Sequence, residues 1–176
     1  MASQLGIRLK ALREFYGWSQ RELAKRAGIP NSAISVIEQG AVSPSVLSLE
    51  KVLKGFPISL PDFFAIDIAR QKIVAHTVPG NSVAGHMLSA GLQAEARGRG
   101  GDIQLRVFSH SAGDSPLNLL ARHTTLLLVT AGEAVFSSLS GSQTLRRGDS
   151  LTLYTTTPFR LEPLQGEVQW VQATLE

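Results

Sequence analysis

Small polar side chains between residues 31 and 39 have the chemistry needed to read DNA base edges. In a helix over this segment, the outward positions carry short amide and hydroxyl groups close to the helix N-terminus. Such groups form hydrogen bonds to base edges when a helix lies in the major groove, and small apolar side chains contact thymine methyls. The segment therefore predicts base contacts from Asn31, Ser32, Ala33, Ser35, Val36 and Gln39, with Ala33 or Val36 as the thymine contact.

Other kinds of chemistry find little support in the sequence. The 176 residues include no cysteine, which excludes disulfides, thiolate zinc sites and a cysteine nucleophile. The sequence contains no nucleophile elbow, phosphate-binding loop or His-Glu-x-x-His motif. The four histidines, His76, His86, His110 and His123, follow no spacing typical of a metal site. We expect no metal and no other cofactor.

The composition is that of a globular protein with one or two domains, with 43% apolar and 18% charged residues. No apolar run reaches the roughly 18 residues of a membrane helix. The first residues carry no apolar segment typical of a secretory signal, so we expect a cytoplasmic protein with no membrane partner. Residues 1–66 hold eight Lys/Arg against five Asp/Glu, which accounts for the whole net charge of +3.

Apolar residues in this first third recur at steps of three and four, which predicts five short helices. Breaks between them fall at Gly17, Gly28–Pro30 and Gly40–Pro44. Capping residues are expected at the helix starts: Ser19 with Glu22, Asn31 or Ser32, Ser45, and Ser59 with Asp62. The second and third helices, joined by a tight glycine turn, have the helix-turn-helix pattern over residues 19–38.

The sequence of residues 5–64 resembles the lambda-repressor-like (XRE-type) DNA-binding domain. Within that family it is most similar to repressors of the putrescine-utilisation type. The resemblance lies in Ser19-Gln20, Leu23-Ala24, Ala27-Gly28, Ile34-Ser35, Ile37-Glu38 and Ser43-Pro44-Ser45. It implies phosphate contacts from Gln20, Ser43 and Ser45, with Arg21 and Lys25 as further candidates. It also implies that Glu38 pairs with Arg13. One such domain contacts few phosphates, so we expect a homodimer that reads two half-sites about 34 Å apart.

Residues after 66 change to short β-type runs separated by turns every eight to twelve positions, which predicts a sandwich or barrel. The runs are 103–108, 124–130, 134–139, 143–146, 150–154, 159–162 and 168–174. The segment from Gly113 to Phe159 resembles the cupin family, with Gly132 ending the first motif and RRGDSLTLYTTTPF as the second. The fold expected is an α + β two-domain chain. A five-helix domain (1–66) and a linker or first strand (67–80) precede a cupin-type antiparallel β-barrel, the double-stranded β-helix (81–176).

The cupin resemblance also shows what this sequence lacks. Positions that hold metal ligands in catalytic cupins match Ala121, Thr125 and Phe159, none of which is a usual ligand. We therefore expect no enzyme but a degenerate cupin that dimerises and senses a small, partly apolar molecule near Arg122, Thr125 and Phe159. Arg106, Arg146 and Arg160 are further candidates for an anionic group. A polyamine would need carboxylates, and the strands offer few.

The sequence thus predicts a transcriptional regulator that binds operator DNA, a repressor rather than an activator. Its β-barrel would respond to an effector, or would only hold two DNA-binding domains at the right spacing. Two alternatives remain open at this stage. A metal-dependent cupin enzyme with an accessory helix-turn-helix domain would contain bound metal, and an antitoxin-like interaction module would form a stable complex with a toxin.

Overall fold

A computed structural model describes residues 4–66, 68, 73–76, 96–97 and 103–175. The chain divides into two compact units, Met1–Ile68 and Ala69–Glu176. The first unit is helical and the second is built from antiparallel strands. His86 lies outside the described residues, as do residues 98–101, whose glycines predict a turn before the run at 103–108.

Five helices form the first unit, as the apolar spacing predicts. They are α1 (Gln4–Phe15), α2 (Gln20–Ala27), α3 (Asn31–Glu38), α4 (Val46–Leu53) and α5 (Leu60–Ala65). Their apolar faces meet in one core, whose fully buried members include Leu9, Leu12, Leu23, Ile34 and Phe63. Beside this core, the rings of Trp18 and Phe56 stack with centroids 5.0 Å apart.

Serine side chains cap three of these helices. Ser19 accepts a hydrogen bond from the Glu22 amide, and Ser45 accepts one from the Ser48 amide. Ser59 and Asp62 form a complete capping box. Each bond satisfies a backbone N–H that the helix itself leaves unpaired, which fixes where the helix begins.

The start of α3 corrects one expectation. Asn31 and Ser32 do not cap this helix, because the residue that precedes it, Pro30, is its N-cap and no side chain caps it. Pro30 has the extended conformation (φ −62°, ψ 142°) of an N-cap residue but no side chain that can accept a hydrogen bond. Asn31 is therefore the first residue inside α3.

The second unit contains ten strands in the described part of the chain. They are β1 (Ile73–His76), β2 (Ala96–Arg97), β3 (Ile103–Ser111), β4 (Asn118–Ala121), β5 (Thr125–Ala131), β6 (Glu133–Ser138), β7 (Gly141–Arg146), β8 (Ser150–Leu153), β9 (Thr157–Pro163) and β10 (Glu167–Leu175). All of the pairings are antiparallel. The seven predicted runs each fall on a strand, and β2 and β4 were not predicted.

The strands form two sheets that share one hydrophobic core. The six-stranded sheet has the order β1-β8-β5-β10-β3-β2, and the four-stranded sheet has the order β4-β9-β6-β7. Inward side chains from both sheets pack together, among them Leu127 and Trp170 from the first and Phe136 and Phe159 from the second. This is the two-sheet arrangement of a jelly roll, or double-stranded β-helix. Within the described residues, the sheets stay separate and do not join into one closed barrel.

No helix in the described part of the chain has both the length and the apolar character needed to cross a membrane.

Candidate nucleic-acid interface

A tight turn joins α2 to α3 and sets the geometry of the candidate interface. Gly28 ends α2 in the left-handed conformation (φ 66°), and its amide bonds back to the carbonyls of Ala24 and Lys25. Glycine adopts this conformation without the steric cost that a Cβ brings. The chain then passes through Ile29 and Pro30 and enters α3 at Asn31, as in a helix-turn-helix.

One face of α3 packs into the helical core. Ile34 and Ile37 are buried there. The backbone at the end of α3 also lies very close to α1, because a Cβ added to Gly6 would fall 2.4 Å from the Ile37 carbonyl oxygen. Only glycine fits this approach. No role was predicted for Gly6, although a glycine three positions before the apolar Leu9 is a visible signal in the sequence.

The opposite face of α3 carries the residues predicted to read DNA. Asn31, Ser32 and Gln39 are exposed, while Ala33, Ser35 and Val36 are half-buried. Because Asn31 and Ser32 do not cap α3, their amide and hydroxyl groups make no capping hydrogen bond. Gln39 Nε2 donates a hydrogen bond to Ser35 Oγ at 3.2 Å, which links two neighbouring turns of this face.

Two buried charges hold the base of α3 against α1. Arg13 Nε donates to Glu38 Oε1 at 2.7 Å, and Arg13 Nη2 donates to Glu38 Oε2 at 3.0 Å, a bidentate pair. A third donor, Arg13 Nη1, bonds the Trp18 carbonyl at 2.7 Å. The hydrogen bond to Glu38 is the main cause of the raised pKa of Arg13. The structure confirms the Arg13–Glu38 pair that the family resemblance implied.

Gln20 joins the same network from the first residue of α2. Its Nε2 donates to Glu38 Oε2 at 2.9 Å. A primary amide nitrogen has two hydrogens, so one N–H of Gln20 remains to donate elsewhere. Glu38 thereby fixes the orientation of the amide predicted to meet a phosphate. The sequence pattern did not reveal this link, because Gln20 and Glu38 lie 18 residues apart.

Not every basic side chain of the helical unit faces solvent freely. Arg26 pairs with Glu22 at 2.7 Å, and its guanidinium lies 4.3 Å from the Trp18 ring centroid. Arg13 is buried with Glu38. Arg21 and Lys25 are exposed on α2, and Ser43 and Ser45 are exposed in the segment leading to α4. These four belong, with Gln20, to the predicted backbone contacts, and Ser45 also serves as the cap of α4.

The candidate ligand residues of the β unit lie in different environments. Thr125 and Phe159 are fully buried in the described structure, whereas Arg122 is exposed just after β4. The Phe159 ring stacks on Phe136 at 5.7 Å, and Thr125 Oγ1 donates to the His123 carbonyl at 2.9 Å. The structure therefore does not bring Arg122, Thr125 and Phe159 together at one accessible surface. Among the described residues, no three His, Asp or Glu side chains are grouped as a metal site would need.

The sequence similarity to the relatives described next lies in the helical unit. The helix-turn-helix family HTH_3 matches residues 9–63. An uncharacterised HTH-type transcriptional regulator of Bacillus subtilis, YgzD, is 32% identical over 60 residues, which are 34% of this chain and 91% of YgzD. The chain belongs to the helix-turn-helix transcriptional regulators.

The HTH-type transcriptional regulator PuuR of Escherichia coli is 47% identical to this regulator over 60 residues. The match covers 34% of this chain and 32% of PuuR, so the chain corresponds to about a third of that relative's length. A solved HTH_3 family transcriptional regulator from Vibrio cholerae aligns with 99% of this regulator and 96% of its own chain, at 16% identity and a TM-score of 0.39. The two-sheet fold follows from the strand order itself.

Proposed function

We propose that this regulator binds operator DNA as a homodimer in the cytoplasm and represses transcription. Residues 1–66 would bind DNA, and residues 81–176 would dimerise and sense a small effector, joined through 67–80. The observation that carries the proposal is the outer face of α3. It presents small polar groups at a helix N-terminus that is anchored from behind by Ile34, Ile37 and the Arg13–Glu38 pair.

Base contacts are assigned to the outer face of α3, and backbone contacts to the segments on either side of it. The proposed base-reading residues are Asn31, Ser32, Ala33, Ser35, Val36 and Gln39. The proposed phosphate contacts are Gln20, Arg21, Ser43 and Ser45. No Arg or Lys lies in α3, so the strong bidentate contact of Arg with guanine is absent from this helix. Specificity would then come from amide and hydroxyl contacts and from DNA shape.

Control by an effector would be geometric. A dimer reads two half-sites only while its recognition helices are separated by about one helical turn of DNA, 34 Å. An effector that binds a different dimer geometry more tightly than the DNA-binding geometry lowers operator affinity. The size of this effect is limited by the ratio of the effector's affinities for the two geometries. A dimer in which the β unit only sets this spacing is the simpler version of the same proposal.

We infer that the β unit is not an enzyme of the metal-dependent cupin type. The three positions matched to cupin metal ligands, Ala121, Thr125 and Phe159, are buried and offer neither imidazole nor carboxylate. Elemental analysis of the purified protein tests this inference. Stoichiometric iron, nickel or zinc would overturn it.

The test of DNA binding is a fluorescence-anisotropy titration of the full chain on the DNA upstream of its own coding region. It compares the natural protein with an Asn31→Ala/Ser35→Ala variant at two salt concentrations. We expect the variant to lose about tenfold or more in affinity, since each base contact contributes on the order of 1–3 kcal/mol. A Ser142→Ala/Thr144→Ala variant, which removes two exposed side chains of β7, should bind as the natural protein does.

Two results would contradict the assignment. Binding that does not distinguish the upstream fragment from scrambled DNA, and that disappears at the higher salt, would indicate only a basic surface. Equal affinities of the natural protein and the Asn31→Ala/Ser35→Ala variant would remove α3 as the reading helix.

A further inference from the structure

Polar side chains occupy one end of the inner face of the six-stranded sheet. In the pairing of β10 with β3, Gln172 lies opposite Arg106 and Thr174 lies opposite Gln104. Trp170, two positions along β10 on the same face, is fully buried and belongs to the core between the sheets. Side chains alternate between faces along a strand, and paired residues share a face. We call Gln104, Arg106, Gln172 and Thr174 the inner polar row.

Buried polar atoms in and beside this row lack partners. Gln172 Oε1 and Trp170 Nε1 are both buried and make no hydrogen bond in the described structure. Gln172 is only 7% exposed, and the other end of its amide contacts Thr174 Oγ1 at 3.4 Å. A buried amide oxygen and a buried indole N–H without partners lose their hydrogen bonds to water and gain none in return. Groups of this kind are explained when a ligand completes their hydrogen bonds.

Arg106 supplies a positive charge at the same place. It is exposed, and its Nη2 donates to Gln104 Oε1 at 3.0 Å, which leaves most of its five N–H groups for another acceptor. The other candidate arginines are placed differently. Arg146 and Arg160 lie on outer faces, beside the inward Leu145 and Leu161.

Carboxylates are missing from the inner faces of the described strands. The described strands contain three acidic residues, Glu133, Glu162 and Glu167. Each is adjacent in sequence to an inward residue, so each lies on an outer face, and two of them bond the outward side chains of Arg146 and Ser109. Among the described strand residues, the inner polar row thus has the Arg106 guanidinium and no carboxylate, which favours an anion.

We propose that the inner polar row binds a small organic carboxylate, with Arg106 on the carboxylate and Gln172 on a second polar group. The apolar part of this ligand would lie against Phe108 and Trp170, whose rings stack at 5.0 Å with an interplanar angle of 8°. Guanidinium matches carboxylate geometry with two parallel hydrogen bonds. This inference rests on the proposed function only in treating the ligand as the effector, and it moves the site from Arg122, Thr125 and Phe159 to the inner polar row.

A diamine does not fit the charge of the inner polar row. Two ammonium groups would need carboxylates, and the described inner faces present Arg106 instead. Neutral molecules would satisfy Gln172 but leave the guanidinium of Arg106 without a charged partner. The combination of one cation, one unpaired amide oxygen and one stacked aromatic pair therefore favours a small carboxylate over a diamine or a neutral molecule.

The test is isothermal titration calorimetry of the full chain with acetate, lactate, succinate and benzoate, and with 1,4-diaminobutane as the cationic comparison. We expect at least one carboxylate to bind. In Arg106→Gln its affinity should fall about tenfold or more, as for the loss of a charged hydrogen bond. The matched control is Arg146→Gln, which removes an arginine from an outer face and should leave the affinity unchanged.

Gln172→Leu separates a ligand-binding role from a structural one. We expect weaker carboxylate binding in this variant together with a melting temperature of the free protein that is equal to or above the natural one, because an unpaired buried amide is removed. A melting temperature well below that of the natural protein would mean that Gln172 is structural. Binding by none of the four carboxylates, equal binding in Arg106→Gln, or tighter binding of the diamine would each overturn the proposal.

Anisotropy titrations of the same variants on the upstream DNA keep the two proposals apart. Arg106→Gln without ligand should bind DNA as the natural protein does, since Arg106 lies outside the helical unit. If carboxylates bind through Arg106 while the protein shows no sequence-specific DNA binding, the site stands and the proposed function fails. If DNA binding is specific and no carboxylate binds, the opposite holds.

Discussion

Each unit of this regulator contains an arginine bonded to a glutamate, and the two pairs differ mainly in burial. Arg13 Nε lies 2.7 Å from Glu38 Oε1 in the helical unit, with side chains 10% and 3% exposed. Arg146 Nε lies 2.8 Å from Glu133 Oε1 in the β unit, with side chains 75% and 40% exposed. The bond lengths are nearly equal, so bond length alone does not show what each pair contributes. Burial decides this contribution.

Burial makes the helical pair a fixed part of the candidate interface. Glu38 receives hydrogen bonds from Arg13 and Gln20, and Arg13 also bonds the Trp18 carbonyl. Removal of one partner would leave a charge in the core with no compensation, which is far more costly than the loss of a solvated pair. The network therefore sets the position of α3 and of the Gln20 amide.

Glutamine amides show a similar contrast between the units. The half-buried Gln20 amide donates to Glu38, whereas the buried Gln172 has an unpaired Oε1 in the described structure. In the described residues of the helical unit there is one comparable atom, Arg8 Nε, but that guanidinium lies 5.7 Å from the centroid of the Phe63 ring. The satisfied network belongs to a surface that must be rigid, and the unsatisfied amide belongs to a face that we propose to be completed by a ligand.

The largest expected effect comes from breaking the buried pair. Arg13→Leu leaves the Glu38 carboxylate buried without its guanidinium, so we expect the free energy of unfolding of the helical unit to fall by about 3–5 kcal/mol. Chemical denaturation followed by circular dichroism measures this loss. Operator affinity should fall with it, because α3 and Gln20 lose their common anchor.

The control is the double variant Arg13→Leu/Glu38→Leu, in which neither charge is left alone. It should be clearly more stable than Arg13→Leu, since a buried ion pair is often replaced by apolar residues at little cost. If the double variant is as unstable as the single one, the loss comes from packing and not from the uncompensated carboxylate.

The next effect tests whether backbone contact between α1 and α3 keeps the buried pair aligned. In Gly6→Ala, the new Cβ would lie 2.4 Å from the Ile37 carbonyl oxygen and 2.8 Å from that of Glu38, so the two helices must separate. We expect a loss of about 1–3 kcal/mol from overpacking, reduced by up to about 1 kcal/mol because alanine favours a helix. Denaturation and the DNA titration together measure it.

Lys10→Ala on the same helix is the comparison, because Lys10 is exposed and contacts only Glu14 at 3.9 Å among the contacts described. Its stability should stay close to that of the natural protein. Equal stability of Gly6→Ala and the natural protein would show that α1 and α3 can adjust without loss.

Local signals in the sequence were enough to predict the helical unit. The Ser19, Ser45 and Ser59 caps and the turn at Gly28 depend on neighbours within a few residues, and all are confirmed. Asn31 was wrongly assigned as a cap, because a residue type that often caps helices also suits the first turn of a helix that follows proline. Gly6 was missed because its partner lies 31 residues away.

The β unit was harder to predict from the sequence. The seven predicted runs lie on strands, but β2 and β4 were missed because they are only two and four residues long. Which arginine faces inward depends on the register between β3 and β10, and that register is set by tertiary packing. For this reason Arg106 could be named as one of several candidates, but not chosen.

The smallest expected effect comes from the exposed pair. In Arg146→Gln the hydrogen bond to Glu133 is lost, and with it the main cause of the raised pKa of Arg146. We nevertheless expect the melting temperature to stay within experimental error, because both partners are solvated in the folded and in the unfolded chain. Higher salt should not change the small difference in melting temperature between the variant and the natural protein, since an exposed pair is already weak before salt screens it. A fall in melting temperature as large as that of Arg13→Leu would mean that pairing itself, and not burial, determines what such a bond contributes in this protein.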